Sequence, residues 1–134
     1  EGEAEEGNNP TVPGGGGGAR LGDHALTAVL IIAGTNDLAQ SFTADEITDS
    51  VLGLHALAHE QGVRSISVDI PESAAAMRYA EYNDMRQEVN AKLLSSSLQD
   101  TLRTHLPCPV PYRFDDEEGG ELWEEDGLHM SGPG

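Results

Sequence analysis

The stretch "AVLIIAGTNDL", Ala28 to Leu38, decides how the rest of the chain is read. Branched apolar residues without polar interruption are the pattern of a parallel strand covered on both faces. The run ends in Gly34-Thr35-Asn36-Asp37, small and polar groups placed where such a strand would empty into a cleft. In open parallel sheets, ligands bind beyond the carboxyl ends of the strands, so Asn36 and Asp37 become candidates for chemistry. The competing reading is a plain turn, because Gly, Asn and Asp are turn residues and an Asx side chain readily bonds its own loop.

Outward from this stretch the pattern is regular. Thr43-Ala44-Asp45-Glu46 has the form of a capping box, which predicts a helix start. Ile47, Val51, Leu54 and Leu57/Ala58 follow at helical spacing, and Gly62 supplies a stop. Val63 to Pro71, "VRSISVDIP", alternates as a second strand, and a long helix is expected from Ser73 to about Arg103 with Met77, Met85, Val89, Leu93 and Leu98 on one side. "CPVPYRF" reads as a short third strand weakened by its prolines. Strand, helix, strand, helix, strand with tight links is the α/β signature of a parallel sheet with right-handed crossovers.

The chain has 134 residues, enough for one domain. Residues 1–25 are acidic and glycine-rich, with five consecutive glycines, and are expected to be a disordered tail or linker. The first twenty residues are the reverse of a basic and then apolar leader, and the start at Glu1 suggests a fragment or a processed product. Twenty-four acidic residues against seven basic ones give a formal charge of -17. A nucleic-acid partner, which requires Lys and Arg to displace counterions, is not expected, nor is an anionic membrane surface. No apolar run reaches the roughly 20 residues of a membrane span. Cys108 is the single cysteine, so no internal disulfide can form, and it is expected to pack as a small apolar residue.

A second polar cluster is "EDGLHMS", in which Asp126 and His129 are three apart with Gly127 between them. A carboxylate this close can accept the imidazole Nδ1–H and leave Nε2 free to take a proton from a hydroxyl. Asn36 offers an NH₂ group of the kind that stabilises a developing oxyanion. The base, its orienter and an oxyanion donor of an acyl-transfer site are therefore all in hand, without a nucleophile.

These residues carry a resemblance. "GTND" after an apolar strand and "DGLHMS" near the C-terminus resemble the third and fifth sequence blocks of the SGNH hydrolases, also called GDSL-type esterases and lipases. "YNDMRQEVN", Tyr82 to Asn90, resembles the helix that precedes their last strand. The resemblance covers roughly residues 26–134. It implies a three-layer α/β sandwich with a parallel, flavodoxin-like sheet, here incomplete and lacking the first strands. It implies that residues 26–134 are a partial ester-hydrolase domain, with Asn36 in the oxyanion hole, His129 as general base, Asp126 as its orienting partner, and Gly34 and Asp37 supporting the loop. The implied substrate is a small ester or an acylated sugar, and no metal or organic cofactor is needed. The family takes its nucleophilic Ser from an upstream Gly-Asp-Ser block that this sequence does not contain: Gly22-Asp23-His24 has His where Ser would be and no apolar strand before it. The alternative is a non-catalytic remnant that binds a ligand or a partner.

Three further features have bland readings. His55 and His59 are four apart and could hold a metal, but no third ligand is apparent and they are expected to be exposed helix histidines. His105 is expected to close a helix. The acidic run 115–125 reads as a solvated loop whose carboxylates would favour the charged form of His129. Trp123 within it is either an anchor for that loop or a cover over an acyl or sugar group.

Overall fold

The computed structural model describes residues 20–21, 24–110 and 122–132. Two short strands, β1 (Arg20–Leu21) and β2 (His24–Ala25), pair antiparallel with each other. The remaining elements are β3 (Ala28–Ile31), α1 (Ala44–Glu60), β4 (Arg64–Val68), α2 (Ala74–Arg78), α3 (Ala80–Ser97) and β5 (Arg103–Leu106). Strands β3, β4 and β5 form a parallel sheet in that order. This is a mixed α/β architecture, an incomplete flavodoxin-like fold.

Register assigns each strand residue to a face. Val29, Ser65 and Arg103 lie in one lateral row, and Ile31, Ser67 and His105 in the next on the same face. Ser65 bonds side chains of α1, and Arg103 bonds Ser96 of α3, so both helices pack on this face. Leu30, Ile66 and Thr104 form a row on the other face. There Leu30 is 58% exposed, so the first strand is not covered on both faces as its composition suggested. Among the described residues β3 and β5 are the two edge strands, and α1 and α3 sit on one face of the sheet.

Sequence and structure agree at the start of α1. Thr43 caps it, its hydroxyl accepting from the Glu46 N–H while the Glu46 carboxylate accepts from the Thr43 N–H at 2.8 Å. They part along its face. Leu54 and Leu57 point outward, and the buried positions are Ile47, Thr48, Val51 and His55. His55 is 2% exposed rather than a surface histidine. The long second helix is two: at Tyr79 the backbone is extended (φ −120°, ψ 110°), which separates α2 from α3. Val89 and Leu93 are buried as expected, whereas Met77 and Leu98 are exposed. The last strand lies earlier than its apolar signal, over Arg103–Leu106, so His105 is in a strand and does not close a helix. Residues 111–114 of the expected third strand, and 1–19 and 22–23 of the expected tail, lie outside the described residues.

The apolar core, Leu38, Ala44, Ile47, Val51, Ile70, Val89 and Leu93, gathers at the carboxyl ends of the strands. Asn90 of α3 clamps the peptide groups beyond β4 there. Its Oδ1 accepts from the Ile70 N–H at 2.8 Å and its Nδ2 donates to the Ile70 carbonyl at 3.1 Å, which also receives Nη1 of buried Arg86 at 3.2 Å. At the amino end of β4 the layer between sheet and helices is polar instead, built from His55, Ser65 and Arg103.

Candidate active site

The chain leaves β3 through a turn that only glycine permits. Gly34 has φ +108°, and a Cβ there would lie 2.7 Å from Cδ1 of the clamped Ile70. The Gly34 carbonyl accepts from the N–H groups of Asp37 and Leu38 at 3.1 and 3.2 Å, and buried Leu38 anchors the short 3₁₀ turn Asp37–Ala39. Asn36, at the head of that turn, is exposed and its side chain caps nothing, so its amide is free for a ligand. Asp37 is half-buried beside it.

The second arm is a small hairpin-like loop. Trp123 and Met130 form an antiparallel bridge, Glu124 N–H donates to the His129 carbonyl at 2.8 Å, and Ser131 N–H to the Leu122 carbonyl at 2.9 Å. Gly127 makes the bend with φ +61°. Trp123 is 4% exposed, which makes it the anchor of the loop and not a cover over bound substrate. The part of the acidic run from 115 to 121 lies outside the described residues.

Asp126 and His129 meet inside this loop. The imidazole Nδ1–H donates to Oδ2 at 2.7 Å, while Oδ1 accepts from the backbone N–H groups of Leu128 and His129 at 2.8 and 3.0 Å. These three bonds, the imidazole's first, hold the Asp126 carboxyl down to about 2. The carboxylate thereby fixes the tautomer and the ring plane, and Nε2 becomes the proton-accepting edge. Both side chains are open to solvent, at 51% and 69% exposure.

A cleft of about 110 Å³ joins the two arms, with Thr35, Asn36, Leu38 and Ala39 on one side, Leu128 on the other, and Ser73, Ala75, Ala76 and Tyr82 as floor and wall. The Ala74 N–H donates to the Gly127 carbonyl at 2.8 Å, tying the start of α2 to the Asp126–His129 loop. Sequence reading missed Ser73, Ala75, Ala76 and Tyr82 because it ran one helix through them. The small-residue run Ala74–Ala76, just after a Pro-Glu-Ser turn, was the available signal. Ser73 is not a presented nucleophile: it is buried, and its Oγ accepts from the Ala76 N–H as the cap of α2.

Another serine has neighbours of the right types in the wrong place. Ser65 Oγ lies 2.8 Å from His59 Nε2, and His59 Nδ1 lies 3.6 Å from Asp100 Oδ2. Yet Ser65 is 1% exposed and its hydroxyl is shared with His55. It also sits at the amino end of β4, away from the Gly34 turn. Among the described residues no group of three or more His, Cys, Asp or Glu side chains is placed to hold a metal ion, and no helix is long and apolar enough to cross a membrane.

No family model matches the chain, and no curated protein does. Among solved structures the chain is similar to one described as "a putative platelet activating factor from Streptococcus pneumonia". The TM-score is 0.59 at 19% sequence identity, covering 81% of this chain and 54% of that one. This chain therefore matches about half the length of its structural neighbour. At that identity the likeness concerns the fold: the β3–α1–β4–α2–α3–β5 arrangement is one that a larger α/β protein also adopts.

Proposed function

We propose that residues 26–134 are part of an SGNH-type ester hydrolase domain, carrying the general base, its orienter and one oxyanion donor. The observation that supports this most is the Asp126–His129 pair at 2.7 Å, on a loop bonded to the same cleft that Asn36 lines. In this reading a serine from a Gly-Asp-Ser segment outside the present sequence attacks the ester carbonyl. His129 Nε2 takes the hydroxyl proton and returns it to the departing alkoxide, and the Asn36 amide donates to the oxyanion. Water then attacks the acyl-serine, again giving its proton to His129, and releases the acid.

The cleft supports short acyl groups. Its alanines and Leu38 give an apolar lining, and about 110 Å³ leaves little room for a long chain. A net charge of -17 favours neutral esters or acylated sugars over anionic ones. The absence of a Gly-Asp-Ser segment in the sequence favours a second reading, in which the cleft binds a ligand without turning it over.

One measurement separates them. A parent protein that supplies Gly-Asp-Ser should hydrolyse p-nitrophenyl acetate and lose at least about 10³-fold in kcat on His129→Ala, while the 134-residue chain alone should match its own Asn36→Ala, His129→Ala double variant. A parent whose turnover is unchanged by His129→Ala would remove His129 from catalysis and leave the binding reading.

A further inference from the structure

The polar layer at the amino end of β4 lies outside the proposed active site and has its own logic. His55 and His59 are one helical turn apart on α1 and both reach the same hydroxyl. His55 Nδ1 is 2.7 Å and His59 Nε2 2.8 Å from Ser65 Oγ. A hydroxyl has one proton, so when both rings are neutral it donates to one and accepts the N–H of the other. That single oxygen bonds the last two turns of α1 to the sheet. The groups around it are buried: Ser65 is 1% and His55 2% exposed, and His55 Nε2 has no hydrogen-bond partner among the described residues.

The charges facing this oxygen come from three elements. From α1 there is His59. From the turn between α3 and β5 there is Asp100, which faces His59 at 3.6 Å and Arg103 at 4.0 Å. From β5 there are Arg103, bonded through Nη2 to Ser96 of α3 at 2.7 Å, and His105, whose Nε2 bonds Asp69 at 2.8 Å. The balance is tight. Arg103 is a permanent cation, and among the described residues Asp100 is the carboxylate beside it and His59. A proton on His55 would add a further cation in the interior and leave both ring nitrogens as N–H donors, with no acceptor for Nε2–H among the described residues.

We propose that the last two turns of α1, Leu54–Glu60, are an acid-released latch: neutral His55, bonded to Ser65, holds them on β4, and protonation of His55 detaches them while the apolar core at the other end of the sheet stays packed. The core residues Ile47 and Val51 lie at the far turns of the same helix, so the helix has an apolar end that is insensitive to pH and a polar end that is not. Burial, followed by the Arg103 charge and then His59, pushes the His55 imidazole down to about 4 from its ordinary 6.5, and the detached state recovers the ordinary value.

Hydrogen exchange of the 134-residue chain, normalised for intrinsic rates, tests this. Between pH 7.5 and 5.0 the protection of amides in the last two turns of α1 should fall about 30-fold, the ratio set by imidazole values of 6.5 when open and about 4 when closed. Amides of α3 should hold. His55→Gln keeps a hydrogen-bonding group for Ser65 without a titrating one, and should abolish the fall. An equal fall in His55→Gln, or one spread evenly over α3, would overturn the latch. Should that variant fail to fold, the unmodified chain decides: a depressed ring-nitrogen midpoint for His55 at which the last-turn amides of α1 lose protection upholds the proposal, and a midpoint near 6.5, or amides that stay protected through the titration, refutes it.

Discussion

The two ends of the central sheet use the same side chains for opposite purposes. At the carboxyl end a histidine is paired to an aspartate on a solvent-exposed loop, with both carboxylate oxygens engaged and Nε2 on the ring edge away from the aspartate. At the amino end two histidines, a serine and an aspartate are packed under a helix, with no route for a ligand to the hydroxyl. Residue identity alone would nominate the second group as the better triad, since it contains a serine. Solvation reverses the choice. An exposed imidazole can gain and lose a proton at little structural cost, whereas a buried one makes protonation a question of whether the helix stays docked.

The contrast can be broken most severely at Asp126. In a parent protein that supplies the serine, Asp126→Asn should lower kcat by about 10³–10⁴-fold with little change in KM, because its work is to orient the imidazole in the transition state. A steady-state comparison in which kcat survives would show that the exposed pair has no more chemistry in it than the buried one. Next in size is Gly34→Ala. The left-handed backbone and the 2.7 Å approach to Ile70 should together cost about 2–4 kcal/mol in urea unfolding. A variant of unchanged midpoint would mean the turn that presents Asn36 is soft.

The third effect is pH dependence, and the two ends should differ in its window. The His55 value is depressed on folding, so its contribution is fully present above the unfolded value of 6.5 and is lost as pH falls toward about 4, a decline of about 2–3 kcal/mol for a buried group. Asp126 is also depressed, but from 3.8 to about 2, so whatever it adds is lost only below about pH 4. Calorimetry from pH 7 to 4.5 should therefore show a loss that His55→Gln removes and Asp126→Asn does not. The smallest effect lies on the sheet's outer face. Leu30→Lys should change unfolding free energy by less than about 0.5 kcal/mol while reducing self-association, because Leu30 and Ile32 are 58% and 45% exposed on and just after an edge strand of the described sheet. A strictly monomeric parent chain by size-exclusion chromatography would show that this face has no tendency to pair.

How far the sequence was legible follows the same division. At the carboxyl end, local chemistry dictates structure: a capping box must cap, a Gly-Thr-Asn-Asp after an apolar run must turn, and Asp-Gly-Leu-His can close on itself within four residues. Those features were readable. At the amino end the determinants are non-local. Counting apolar positions placed Leu54 and Leu57 on the inner face of α1, but the sheet there presents Ser65, and a serine pairs with His55. The strand at Arg103–Leu106 was missed because its inward residues are Arg103 and His105, which look like a helix terminus until the row Ser65–Arg103 shows what they face. The break at Tyr79 left no proline or glycine to mark it.

The bond from the Ala74 N–H to the Gly127 carbonyl has a meaning for how such a cleft can change over generations. It joins two backbones, so no replacement at either end deletes it except proline at Ala74, which would remove the donating N–H. The cleft wall at Ala75, Ala76 and Ala39 is thus free to drift in size while the loop holding the imidazole keeps its anchorage. Under the proposed esterase reading, acyl preference and the placement of the imidazole are heritable separately, and a lineage could retune what the cleft admits without rebuilding the Asp126–His129 loop.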